Sequence, residues 1–527
     1  MAHGACRPVV TTVVLVEGVV GIVGVAGAMP PELEPPPHPL TIMKAQAEAV
    51  LFHMIVLLGK SAATIIGRFG GHATHGRVVS LIAGGRHSYR NFVDWSDGMT
   101  VVSGIGLGLR QFNHPDTAMI RYSLLLLALV THAASSCETG VFQKNQTAFV
   151  GVTKANKGFG YTFSDGTVGS TQDAATRLVC GAGAVVVDGE AWPKVAVVET
   201  NTRFDSNGVT LAGRLLEPPG AGRQTALVIY AHGSEDSGWI DRARDPYQLV
   251  ARGVSVFVYD KRGTGMSGGE YTQNFPRLAD DLVAASREAK RLAAGRFGRF
   301  GLLGLSQGGW IAPLAASRAK AEFVGIGYGL AVDIAEQDAA QVAKELRDRG
   351  YGEDVVAKAR GITDITARLV KSGYKDGLGD LAQAQSRYAK EPWFPTIKGG
   401  YTGVLLGMPV EELRTQGTPR FDKLEVDWTQ NPLQVISNLD VPQLWALAAE
   451  DRQAPIALTL ERLAQVRSQG RDIAIYVFPH TDHGMWEYDQ AADGMRKRTR
   501  IPPGFYDLMA DWAKGLGGGQ YGEASRR

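Results

Sequence analysis

Cysteine is scarce in this chain, with three in 527 residues, at Cys6, Cys137 and Cys180. So few exclude a disulfide-dense scaffold, and their spacing leaves no Cys-x-x-Cys pair for a metal or redox centre. An excess of one charge is missing too. The 55 Lys and Arg face 53 Asp and Glu, a formal net charge of +2, which argues against a broad nucleic-acid or acidic-surface binder. No internal repeat is visible, and the 65 glycines follow no period, so collagen is excluded. What remains is 44% hydrophobic and 20% charged, the balance of a globular core.

The first 118 residues stand apart, poor in charge and holding seven of the eleven histidines. Residues 9–29 are apolar and about long enough to cross a bilayer, but Glu17 in mid-span and the repeated glycines weigh against it. The Pro-rich run 30–39 reads as a stiff linker. A second apolar patch, 49–58, is too short to span, and no chemistry is evident here. Residues 119–136 then resemble a secretory signal peptide: Arg121, a short apolar run, and small residues before Cys137. On that reading Met119 is the start, 1–118 is an upstream over-extension, and the protein is exported to the periplasm or beyond. Cys137 after Ala-Ser-Ser also resembles a lipoprotein acceptor, with Ala134 where Leu is usual. Membrane contact is expected only through residues 9–29 or a lipidated Cys137.

Residues 137–222 read as a β-rich region of short strands, at 161–163, 184–187, 194–199 and 208–213, divided by turn signals. From 223 the pattern changes to apolar strand runs (226–231, 254–259, 300–304, 323–328) alternating with helices. It resumes at 440–520, with strands at 441–448 and 472–478. Such alternation predicts an α/β architecture, a doubly wound and mostly parallel sheet covered on both faces. Residues 331–439 break the rhythm as a helix-rich cap insertion, expected over the carboxyl ends of the strands. The charged stretches 280–291 and 345–358 read as solvated helix faces.

Gly304-Leu305-Ser306-Gln307-Gly308 falls between a predicted strand and a predicted helix, the context a nucleophile elbow needs. The turn lifts the Ser306 hydroxyl and aims the Gln307 N–H at a developing oxyanion. A serine needs a base, and from residue 137 on only His232, His480 and His483 are available. His232, in His232-Gly233-Ser234, sits just after the first strong strand. It is expected to shape a loop whose Ser234 N–H supplies the second oxyanion donor. His483, followed by Gly484, is preferred to His480 as base. Asp451 follows the preceding strand and is expected to orient the imidazole, with Glu450 its neighbouring alternative.

Two motifs compete. Gly263-Thr-Gly265-Met-Ser-Gly268 spells a dinucleotide fingerprint, but no helix opens directly after it, so it reads as a loop with turn glycines. His480-Thr-Asp482-His483 resembles the end of a metallo-hydrolase motif, yet Phe478 stands where a ligand belongs. Neither metal nor cofactor is expected.

These segments, with Tyr259-Asp-Lys-Arg-Gly-Thr-Gly-Met-Ser-Gly268, resemble the α/β-hydrolase superfamily, in the branch of serine aminopeptidase-like, dienelactone hydrolase-like and bacterial carboxylesterase-like proteins. The order Ser306, Asp451, His483 is the order of that superfamily. The resemblance implies a serine hydrolase cleaving carboxylic esters of small molecules through an acyl-enzyme. The alternative it leaves is an aminopeptidase acting on short peptides, for which Glu235 and Asp236 would clamp the α-amine. The insertion would supply pockets, with Tyr351, Tyr374, Tyr388, Trp393, Phe394 and Tyr401 as aromatic candidates.

Overall fold

Strands covered on both faces by helices need no polar alternation, and the central runs of this chain have none. A computed structural model describes residues 137–527 apart from Asp493, together with the backbone of a short hairpin pairing Val14–Val16 with Val19–Gly21. The remaining calls on 1–136, including the signal peptide at 119–136, lie outside the described residues. Among the described residues no helix is long and apolar enough to cross a membrane.

The main sheet has nine strands: β1 (Val198–Ser206), β2 (Val209–Glu217), β3 (Leu227–Ala231), β4 (Ser255–Tyr259), β5 (Phe300–Leu305), β6 (Phe323–Gly327), β7 (Gln443–Ala448), β8 (Ile473–Phe478) and β9 (Ser525–Arg526). Their spatial order is β1-β2-β4-β3-β5-β6-β7-β8-β9. The six strands from β4 to β8 run parallel, while β1, β2 and β9 pair antiparallel at the margins. Every residue of β3, β4, β5, β6 and β7 is buried.

Helices cover the two faces. α1 (Asp245–Ala251) and α11 (Phe505–Lys514) pack on one, and α2 (Phe275–Leu292), α3 (Gly308–Ala319) and α10 (Ala457–Ser468) on the other. α2 starts where the Asn274 side chain accepts from the Arg277 N–H, with Pro276 just inside. Between β6 and β7 the chain leaves the sheet and forms α4 (Ile334–Asp348), α5 (Glu353–Lys371), α6 (Leu378–Tyr388), α7 (Thr402–Leu406), α8 (Val410–Phe421) and α9 (Pro432–Ser437). α4 opens on a capping box between Asp333 and Glu336. The cap has its own apolar clusters, one around Leu346, Ile362 and Trp393, another around Leu369, Leu381 and Leu413.

Ahead of the sheet, a four-stranded and a three-stranded antiparallel sheet share a core of Phe142, Val150, Tyr161 and Leu178. Residues 194–197, read as strand from their valines, are not one, since β1 begins only at Val198. Cys137 and Cys180 are paired as a disulfide across 43 residues. A thioether lipid anchor at Cys137 would need the same sulfur, so the two exclude each other.

The charge pattern of α2 misleads. Its stretch 280–291 is not simply a solvated face, because Asp281 is fully buried, receiving Arg262 Nε and Nη2 at 2.8 and 2.6 Å and the Ser206 hydroxyl at 2.6 Å. A buried carboxylate is tolerable only when so paired. The stretch 345–358 is not one helix but the end of α4 and the start of α5, broken at residues 349–352.

Candidate active site

Parallel register brings the loops of the site together before any side chain matters. Ala231 of β3 is level with Gly304 of β5, so the loop His232-Gly233-Ser234 and the turn at Ser306 leave the sheet side by side. On the next pair of strands Ala448 is level with Phe478, and the loops carrying Asp451 and His483 exit together.

Ser306 sits between β5 and α3 with φ +53°, a left-handed conformation that costs a non-glycine residue about 1–3 kcal/mol and that its surroundings must enforce. Glycine flanks it for lack of space. A Cβ on Gly304 would lie 2.2 Å from the Gly308 carbonyl oxygen, and one on Gly308 only 1.9 Å from that of Ala231. The Ser306 N–H donates to the Gly327 carbonyl at 3.0 Å, fastening the turn to β6.

His483 Nε2 lies 2.9 Å from Ser306 Oγ, and its Nδ1 lies 2.9 Å from Asp451 Oδ2. A carboxylate only accepts, so Nδ1 carries the proton and Nε2 is left to accept from the serine. Asp451 is 1% exposed, and its Oδ1 accepts from the N–H groups of Gln453 at 2.9 Å and Ala454 at 2.6 Å. Asp482 ties the two loops, accepting from the N–H of Arg452 at 2.9 Å and of His483 at 2.8 Å, and meeting Arg496 at 2.7 Å. Burial works to raise the Asp482 carboxyl, yet these donors hold it below the usual range.

The neighbouring pair is separate. His480 is exposed, its Nδ1 3.4 Å from Glu450, and Glu450 also accepts from the Tyr488 hydroxyl. His232 is 1% exposed and meets residues of its own loop instead of the Ser306 hydroxyl. It stacks on Trp239 with ring centroids 4.6 Å apart, and its Nδ1 is 3.2 Å from Glu235. Burial lowers its pKa, which keeps it neutral. Glu235 also accepts from Trp239 Nε1, so this carboxylate is spent on the loop.

Ser306, His483, Ser234 and Gln307 face a cavity of about 340 Å³. Phe275, Trp310 and Tyr328 wall it from the sheet side, and Tyr374, Tyr401, Phe421 and Trp428 from the cap. Among the described residues no Lys or Arg lines it. Its one carboxylate, Asp422, already accepts from the Val426 N–H and Trp428 Nε1. Glu235 and Asp236 are not among the lining residues. Of the six aromatic residues named from the sequence, Tyr374 and Tyr401 reach the cavity, while Tyr351, Tyr388, Trp393 and Phe394 pack inside the cap. The N–H groups of Ser234 and Gln307 have no protein acceptor among the described residues, as oxyanion donors must not.

Tyr328 goes unmarked in the sequence. It follows β6 with φ +42° and meets the His483 ring edge-on, centroids 5.4 Å apart. Its position at the carboxyl end of a predicted central strand, 323–328, is the available signal. Gly263 and Gly265 have positive φ, and a Cβ on either would come within 2.1 Å of Tyr271 N or Asp260 Oδ2, so they serve a tight turn. Asp260 accepts from the N–H groups of Trp239, Ile240 and Met266 at 2.6, 3.1 and 2.8 Å, binding that turn to the loop after β3.

Residues 222–348 match the sequence profile of the family described as serine aminopeptidase, S33. No curated protein matches the chain. Among solved structures it is similar to acylaminoacyl peptidase of Pyrococcus horikoshii, at 14% identity over 64% of this chain and TM-score 0.35. The chain spans only 44% of that protein's length. It is similar to an esterase of Pyrococcus furiosus, at 15% identity, covering 55% of this chain and 84% of the other, TM-score 0.34. It is also similar to Est1E of Butyrivibrio proteoclasticus, solved with ferulic acid bound, at 15% identity, 60% and 97% coverage and TM-score 0.33.

Proposed function

We propose that this chain is a serine hydrolase of the α/β-hydrolase superfamily that cleaves carboxylic esters through a covalent acyl-enzyme. The observation that carries the reading is the hydrogen-bonded line from Ser306 through His483 to the buried Asp451, opening on a cavity walled mostly by aromatic and aliphatic side chains. Ser306 Oγ attacks the ester carbonyl carbon as its proton passes to His483 Nε2, and the carbonyl π-electrons move onto oxygen. The N–H groups of Ser234 and Gln307 hold that oxyanion. Collapse expels the alkoxide, which takes the proton from His483 and leaves as alcohol. Water then repeats the attack on the acyl-enzyme, His483 accepting its proton and returning it to Ser306, and the acid is released. Asp451 holds the ring in the required tautomer and stabilises the imidazolium.

An uncharged, apolar or aromatic acid or alcohol suits the cavity wall, where Phe421 and Trp428 offer surface and no cation offers a partner. An aminopeptidase must hold the charged α-amine of its substrate. The carboxylates named for that task, Glu235 and Asp236, do not line the cavity, and this favours the ester. Export is the second part of the proposal, and the Cys137–Cys180 disulfide supports it, since such bonds persist in oxidising compartments. The test compares the full chain and Ser306→Ala on p-nitrophenyl esters and on aminoacyl p-nitroanilides. Serine-dependent ester cleavage with little anilide cleavage is expected. Efficient anilide cleavage would assign a peptidase, and activity indifferent to Ser306 would end the mechanism.

A further inference from the structure

The Ser234 N–H shares a planar trans peptide unit with the Gly233 carbonyl, so the two point in opposite directions. Fixing the carbonyl therefore aims the N–H. The carbonyl is fixed by Lys261, whose Nζ donates to Gly233 O at 2.7 Å. On the other side of the Ser234 Cα, the Tyr271 hydroxyl donates to Ser234 O. Both peptide units flanking this Cα are thus held by their carbonyls, and Gly233 abuts the nucleophile, since a Cβ there would stand 3.5 Å from Ser306 Cβ.

Lys261 is an unusual residue to find in this place. It is 2% exposed, yet among the described residues no carboxylate oxygen pairs with its ammonium. Its direct contacts are one peptide carbonyl and the Tyr271 ring, whose centroid is 5.0 Å away, with the Glu235 and Asp236 carboxylates farther off. Hiding an ammonium with no carboxylate in direct contact is costly. The charge does, however, lie one peptide bond behind the proposed oxyanion donor. There it orients the peptide, polarises it so that the N–H is a stronger donor, and favours negative charge on the reacting carbonyl.

We propose that Lys261 is a positioning residue for the oxyanion hole, acting through the Gly233–Ser234 peptide. This rests on the serine hydrolase reading above. The groups facing the ammonium are Glu235 and Asp236 on the loop after β3, His232 at its start, and Tyr271 ahead of α2. Burial pulls the Lys261 pKa down to about 8, against the two carboxylates that hold it up; His232 is neutral there and adds no charge. The sign for stability is opposite to that for activity. Between pH 8 and about 10.4, the ordinary lysine value, the unfolded chain keeps a proton that the folded chain has lost, so Lys261 makes the fold more stable as pH rises. An alkaline fall in kcat with a midpoint near 8 would therefore not come from Lys261-linked unfolding.

The experiment measures kcat and KM on p-nitrophenyl butyrate from pH 6 to 10 for the full chain, Lys261→Met and Lys261→Arg, with unfolding midpoints for each. Serine-dependent turnover by the unmodified chain comes first, and its absence would remove the hydrolase reading rather than this one. For Lys261→Met we expect kcat to fall about 10- to 100-fold, below the 10²–10³ typical of losing an oxyanion donor outright. KM should stay within about twofold, and the alkaline limb near pH 8 should vanish. Lys261→Arg should recover part of kcat and move the limb out of range. If Lys261→Met does not fold, the Arg variant and the pH profile of the unmodified chain decide. An unchanged kcat in Met, a loss confined to KM, or an alkaline limb identical in the unmodified chain and Arg would each overturn the proposal.

Discussion

The strand ends that carry Ser306, Asp451 and His483 and the cap that roofs them are built on different plans. At the strand ends position is set by backbone. Parallel register brings the loops together, two glycines admit the turn at Ser306, and N–H groups fix Asp451 and Asp482. In the cap position is set mainly by side-chain packing among helices, with the buried Asp338 accepting from the Tyr401 and Thr402 N–H groups, and what faces the cavity is mostly rings and aliphatic chains beside Gln337 and Asp422. The lesson is a division of labour. Chemistry needs atoms held within a few tenths of an ångström, which hydrogen-bonded backbone provides, whereas substrate choice needs shape, which packing provides and can vary.

The division can be tested from the chemical side first. Ser306→Ala removes the proposed nucleophile and should lower kcat by about 10⁴- to 10⁶-fold with the fold intact by circular dichroism. A loss of less than tenfold would place the chemistry elsewhere. Asp451→Asn comes next. Its amide retains one acceptor, but can also donate to Nδ1 and stabilise the tautomer that protonates Nε2. On the order of 10³- to 10⁴-fold in kcat is expected, with KM little moved. A loss shared between kcat and KM would mean that the carboxylate also shapes the cavity, and the boundary between the two regions would blur.

The same division explains what could be read in the sequence. The buried strand runs and the Gly-x-Ser-x-Gly turn are local, so 226–231 and 300–304 fall within a residue or two of β3 and β5. Ser306, Asp451 and His483 each sit just beyond a strand that its own composition marks, and the structure brings the three within hydrogen-bond reach. The cavity wall has no such punctuation. Nothing near Tyr374 or Trp428 distinguishes them from Trp393, which is equally aromatic and wholly inside the cap. Only the tertiary packing of α5, α7 and α8 sorts them. Asp281 is illegible for a related reason. Its partner Arg262 lies on the turn after β4, and a helix full of charges does not announce which one faces inward.

On the cap side, Trp428→Ala removes a large part of the cavity wall and the Tyr401–Trp428 ring contact, centroids 4.9 Å apart. For esters large enough to reach it, KM should rise about tenfold, one or two kcal/mol of lost contact, while kcat on an acetyl ester changes less than threefold. The ratio of kcat/KM for the larger to the smaller ester reads this directly. An equal loss for both esters would show that the cap also helps to set the catalytic geometry.

The smallest effect is the sharpest test of how finely position divides function. The two loops after β7 and β8 carry two acid–imidazole pairs only a residue or three apart, Glu450 with His480 and Asp451 with His483. In the first the histidine side chain is 82% exposed, in the second 18%. A surface pair of this kind contributes about 0–1 kcal/mol and is screened by solvent and salt. His480→Ala leaves both hydrogen bonds of His483 and the Asp482 tie untouched, so kcat should stay within twofold over the whole pH range. A loss of tenfold or more would mean that His480 reaches the substrate or the proton path. The base would then be shared between the two imidazoles, and burial would no longer be what separates the working histidine from its neighbour.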